Sequence, residues 1–127
     1  MDYSSSYFGK PLNEIKYEDI VDYFAQEQVE TETIEFKSYH QSEGFESSLN
    51  LVIRGISSFL NSSGGIIIWG APKGIKRNSD KIFIGKLSPV KTYKNKDTLI
   101  NKIAGVITPM PINISIETLS TDESNFV

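Results

Sequence analysis

Glu30, Glu32, Glu35 and Lys37 place three carboxylates and one ammonium within a short stretch of chain. Carboxylate oxygens are ligands for hard cations such as Mg²⁺, and a metal beside a lysine is one way to stabilise charge developing on a phosphodiester. The spacing sets a condition on that chemistry. Glu35 and Lys37 share one face of an extended strand, whereas Glu30 is an odd number of residues from Glu35 and converges with it only if the chain bends or bulges before Thr33. The alternative is a Glu35–Lys37 pair on the solvent face of a strand, with no reaction attached to it.

Other chemistries fail for want of parts. His40 is the sole histidine and no Gly-x-Ser-x-Gly elbow surrounds any serine, so a Ser-His-Asp site is not supported. The glycines at 64, 65, 70 and 74 match neither Gly-x-Gly-x-x-Gly nor the Gly-x-x-x-x-Gly-Lys-Ser/Thr phosphate loop, and turns account for them. With no cysteine there is no disulfide scaffold, no thiolate zinc site and no thiol nucleophile.

Charge is the second chemical signal. The whole chain carries a formal net charge of -3, which argues mildly against nucleic acid, but an average hides polarity. Residues 1–50 hold 3 basic and 11 acidic side chains, net -8, while residues 51–127 hold 10 basic and 5 acidic, net +5. Between residues 73 and 102 nine cations, Lys73, Lys76, Arg77, Lys81, Lys86, Lys91, Lys94, Lys96 and Lys102, face only Asp80 and Asp97. Such a segment either attracts a polyanion or is neutralised in space by the acidic half.

The elements that would carry these residues follow from hydrophobic periodicity. Residues 1–12 are polar, with Gly9, Pro11 and three consecutive serines, and read as a terminal arm outside the core. Asn13 is a candidate cap for a helix whose Tyr17, Ile20, Val21 and Phe24 lie on one face, with Glu18, Asp19 and Asp22 on the wet side. Ile34 and Phe36 alternate with Glu35 and Lys37 in a strand within Thr33–His40. Leu49, Val52, Ile53, Ile56, Phe59 and Leu60 trace the stripe of the strongest helix, which ends at Asn61-Ser62-Ser63-Gly64-Gly65. The apolar run Ile66–Trp69 is a strand buried on both faces, and after a polar loop Lys81–Gly85 reads as a strand returning in a hairpin.

Leu99, Ile100, Ile103, Val106 and Ile107, capped by Asp97 and stopped by Pro109 and Pro111, give a second core helix. Ile112, Ile114 and Ile116 give a further strand, and Phe126-Val127 the start of another, so the natural chain is expected to continue. At 127 residues one domain fits without disulfides or metals. The order of elements predicts an α/β (α+β) fold, a two-layer sandwich of a small mixed sheet with two core helices plus an N-terminal helix. The opening residues lack a basic start and an apolar core, so no secretory signal is expected. No apolar run approaches the ~20 residues that span a bilayer, and a cytoplasmic location is the expectation.

Glu30 with Ile34-Glu35-Phe36-Lys37, the helix end Phe59-Leu60-Asn61-Ser62-Ser63-Gly64-Gly65, and Ile66-Ile67-Ile68-Trp69-Gly70 together resemble the Schlafen-type AlbA domain, a family described as DNA-binding. The Ile103–Ile107 helix followed by Pro109 and Pro111 fits as well. The resemblance covers residues 29–127 and leaves residues 1–28 as an N-terminal arm and accessory helix. It implies a small α/β domain found in bacterial regulators, in helicase-related proteins and in eukaryotic Schlafens, and generally associated with DNA or RNA. Some Schlafens are metal-dependent RNA-cleaving enzymes using three acids, of which Glu30 and Glu35 match two by position. The third is an aspartate just after the buried strand, where this chain has Ala71-Pro72-Lys73, and Asp80 lies further on in a loop.

The leading expectation is therefore a DNA- or RNA-binding module of a bacterial transcriptional regulator-like protein, contacting phosphates through Lys37, Arg54, Lys73, Lys76 and Arg77 and needing no cofactor. The first alternative is a Schlafen-like endoribonuclease with Glu30 and Glu35 as Mg or Mn ligands and Lys37 as electrostatic stabiliser. A third reading is a protein-interaction domain whose acidic helix pairs with the basic half of a partner, for which a homodimer is the simplest form.

Overall fold

The computed structural model describes residues 3–60 and 64–91, with isolated positions at 101, 119, 125 and 126. Its centre is a pair of parallel strands, β1 (Ile34–Lys37) and β2 (Ile66–Trp69), in register Ile34 to Ile66 through Lys37 to Trp69. Parallel neighbours cannot be joined by a tight turn, and the crossover is the helix α3 (Phe45–Leu60). Gly64 follows it with a positive φ of 94°, a backbone conformation that costs glycine little.

Register partners point to the same side, so the pair has two chemically different faces. Ile34, Phe36 and Ile68 join Ile15, Ile20, Phe24, Ala71, Phe83 and Leu87 in one core cluster. On the opposite face Trp69 packs with Leu49, Val52 and Ile53 of α3, and its indole N–H donates to the buried Ser48 hydroxyl at 2.7 Å. The mixed α+β class expected from the sequence is the one observed, with helix layered on sheet.

The N-terminal residues depart from expectation. Residues 3–8 form a short helix, α1, and Tyr7, Phe8 and Leu12 pack against the first core cluster, so this segment is part of the core rather than an arm outside it. Aromatic side chains among the serines account for the difference. Phe8 meets Tyr23 at 4.9 Å between ring centroids, and the Tyr7 hydroxyl meets the Thr33 hydroxyl at 2.5 Å. Burial pushes the Tyr23 hydroxyl up to about 12.

The next helix, α2, runs Tyr17–Tyr23 and starts at Lys16, not Asn13. The Asp19 carboxylate accepts the Lys16 backbone N–H at 2.8 Å, a bond that, with the nearby Lys10 ammonium, holds its carboxyl below the usual range. Val21, expected on the buried face, is 41% exposed, because two turns of helix bury only Ile20 before Phe24 closes the end.

After β2 the expected loop contains a hairpin of its own, β3 (Ile75–Arg77) with β4 (Asp80–Ile82), so the returning strand pairs with the loop and not with β2. Asp80 accordingly sits in a strand opposite Arg77 rather than in a loop. A last antiparallel pair joins β5 (Val90–Lys91) to β6 (Asn125–Phe126). Of the second core helix over 97–107 only Asn101 is described, in helical conformation, and the strand over 112–116 falls outside the described residues. No described helix is long and apolar enough to cross a membrane.

Candidate nucleic-acid interface

The chain does bend before Thr33, as the parity of Glu30 and Glu35 requires: the backbone turns at 31–34, with the Thr31 N–H donating to the Ile34 carbonyl at 3.1 Å. That bend carries Glu30 along the edge of β1 away from β2, where its carboxylate accepts the Phe36 backbone N–H at 2.9 Å. Glu30 thus supplies the acceptor that a third strand would have supplied.

Glu35 and Lys37 point to the α3 side, the face they share with Ile67 and Trp69. Their charged atoms lie 3.8 Å apart, within ion-pair range but too far for a hydrogen bond, and Glu35 Oε2 is buried with no hydrogen-bond partner. Gly55 of α3 makes this possible. A Cβ at that position would collide with Glu35 Oε2 and come within 2.9 Å of the Ile67 methyl, so the glycine is what admits a carboxylate beneath the helix.

These positions do not fit a divalent metal of the kind implied for the cleaving Schlafens. One carboxylate serves the backbone of β1, the other is half-buried with its Oε2 turned under Gly55 of α3, and Lys73 stands exposed where the third acid would be. Among the described residues no group of three or more metal-ligating side chains comes together. The described residues supply no hydrolytic step through a metal.

The cations are arranged differently. Lys73 follows a tightly held turn: the Gly70 and Ala71 N–H groups both donate to the Lys37 carbonyl, at 2.7 and 3.2 Å. Ser88 secures the same place, its hydroxyl donating to the Ala71 carbonyl at 2.5 Å and accepting the Tyr39 N–H at 2.9 Å. The hairpin beyond is anchored by the buried Ile82 and Phe83, and Phe83 exchanges both backbone hydrogen bonds with Gln28 at 2.9 Å. From that base Lys76, Arg77 and Lys81 are exposed. Among the described residues Lys73, Lys76 and Lys81 have no carboxylate in ion-pair range, while Arg77 is held by Glu27 at 2.7 Å.

Of the five residues expected at the phosphate contact, Lys73 lies in the turn after β2 and Lys76 and Arg77 lie in β3, on opposite faces of the hairpin. Lys37 is half-buried against Glu35, and Arg54 is exposed on α3, a separate element. Lys81, directly opposite Lys76, was not among them. The signal for it lies in Ile75-Lys76-Arg77-Asn78-Ser79-Asp80-Lys81-Ile82, where Asn78 adopts the positive φ of 55° that a two-residue turn calls for.

The family model Schlafen, AlbA_2 matches residues 30–127. The chain belongs to that family. No curated protein and no solved structure matches it. A Schlafen AlbA_2 domain is nucleic-acid related, which supports a nucleic-acid partner in general. The match begins at Glu30, the residue that closes the outer edge of β1, and takes in both strands, α3 and the hairpin.

Proposed function

We propose that this Schlafen AlbA_2 domain, residues 29–127 with 1–28 as its accessory segment, binds DNA through phosphate contacts as a module of a bacterial transcriptional regulator-like protein. The observation that carries the reading is the turn and hairpin after β2, which hold Lys73, Lys76 and Lys81 exposed and without carboxylate partners among the described residues. Lys73, Lys76 and Arg77 form the centre of the contact in this reading, and Lys37 and Arg54 its periphery. Arg77 engages a phosphate by exchanging Glu27 for it. Each neutralised phosphate releases counterions, so affinity falls steeply with salt.

The test is fluorescence anisotropy with labelled duplex DNA across a salt series. Reversing Lys73, Lys76 and Arg77 to glutamate together should lower affinity and reduce the slope of log K against log salt by about 2 to 3. An unchanged slope in a folded triple variant would sink the assignment.

A further inference from the structure

The hairpin sets two lysines against each other. Lys76 of β3 and Lys81 of β4 are direct antiparallel partners, so both side chains rise on the same face with their Cβ atoms about 4.5–5.5 Å apart. Like charges in that relation oppose strand pairing, and among the described residues no carboxylate relieves them. Lys81 is nonetheless held in place. Its methylene stem occupies the space a Cβ would take at Gly74, and its ammonium stands 5.6 Å from the centre of the Phe83 ring. With the Lys81 stem laid across Gly74 toward Phe83 and Lys76 on the same face of the ribbon, two cations stand within reach of a single anionic group.

The aromatic side chains nearest in the fold argue about the kind of polymer. Phe83 is 2% exposed, Phe36 3% and Trp69 8%, so none offers a ring face on which an unpaired base could stack. The ribbon face that carries Lys76 and Lys81 exposes cations and is suited to a backbone whose bases stay paired, while the exposed Ile75 and Asp80 lie on the other face.

We propose that Lys76 and Lys81 clamp one phosphate of a nucleic-acid duplex between them, reading its backbone and not its bases. This rests on the nucleic-acid reading above and adds to it a residue, a stoichiometry and a preference for duplex over single strand.

The test uses the full chain with Lys76→Gln, Lys81→Met and the double variant. Methionine keeps an apolar stem over Gly74, so folding is preserved while the charge is lost, and thermal unfolding checks that. Binding is measured against short DNA duplexes of unrelated sequence, an RNA duplex, and a DNA single strand of equal length, each over a salt series. Each single variant should weaken duplex binding roughly tenfold, the double little more than either, and the double should lose about one unit of salt slope because one phosphate is shared. Duplexes of different sequence should bind alike and more tightly than the single strand.

A double variant that loses about two units, with independent effects of the two changes, would mean separate phosphates and overturn the clamp. Single variants that bind as the parent does would overturn it while leaving phosphate binding by other cations intact. Tighter binding of the single strand would overturn the duplex preference. A parent chain that binds no nucleic acid would remove both this inference and the function on which it rests.

Discussion

The carboxylates around β1 and the cations of the β3–β4 hairpin lie at opposite ends of one question, namely what a charged side chain is held by. Glu30 accepts a backbone N–H of β1, and Glu35 lies under α3 beside Lys37. Both are built into the strand pair and its cover. Lys76 and Lys81 extend from a short ribbon, and Lys73 from the turn before it, tied to the main core through Phe83, and no carboxylate meets them among the described residues. Two clusters that look equally chemical in the sequence therefore differ in how their charges are held. Charge that the backbone or a helix has claimed is structural, and charge left on a projecting element is available to a partner.

The sharpest way to break that contrast is at Gly55. A glycine within a helix usually costs about 0.5–1 kcal/mol relative to alanine, so a larger residue there would ordinarily help. Here Gly55→Val should destabilise by about 1–3 kcal/mol, since its side chain needs the space that the Glu35 carboxylate and the Ile67 methyl already fill. Adding Glu35→Ala should recover about half of the loss. Urea denaturation of the single and double variants reads this directly. A neutral Gly55→Val would mean that Glu35 is not confined beneath α3 and is free for chemistry after all.

Glu30 gives the next effect. Glu30→Ala leaves the Phe36 N–H without its acceptor at a part-buried edge and should cost about 1–2 kcal/mol. Glu30→Gln keeps an oxygen in place and should cost less than half as much. The same denaturation measurement distinguishes the two, and equal losses would indicate that the charge rather than the acceptor matters, returning Glu30 to the list of candidate ligands.

How far the sequence foretold this depends on whether a signal is local. Ile34 and Phe36 against Glu35 and Lys37 alternate as a strand does, and α3 shows its stripe over several turns, so both are legible from periodicity alone. The likeness carried by Glu30, the Glu-Phe-Lys strand and the paired glycines extended that reading to the family, which the match over 30–127 bears out. The placement of α1 was not legible, because what ties it down is long-range: Tyr7 to Thr33 and Phe8 to Tyr23. Nor was the covering of Glu35, which depends on a glycine twenty residues later. The hairpin was partly legible, but its Asn78-Ser79 turn is a weaker mark than Asn-Gly, and the strands around it are short and exposed.

The smallest effect tests the boundary between the two regions, where Glu27 of the acidic half reaches Arg77 of the hairpin. Both side chains are about half exposed, at 46% and 58%, and an exposed pair contributes only about 0.2–1 kcal/mol, so Glu27→Gln should barely move the denaturation midpoint. Its effect on binding should be opposite in sign to that of the lysine variants. With the carboxylate gone, Arg77 no longer has to be drawn from an internal partner before it meets a phosphate, and nearby repulsion of the polyanion falls. Duplex affinity should rise by about two- to fivefold, with a steeper salt slope. If Glu27→Gln weakened binding instead, the ion pair would be orienting Arg77 toward the duplex rather than competing for it, and the acidic segment would belong to the interface.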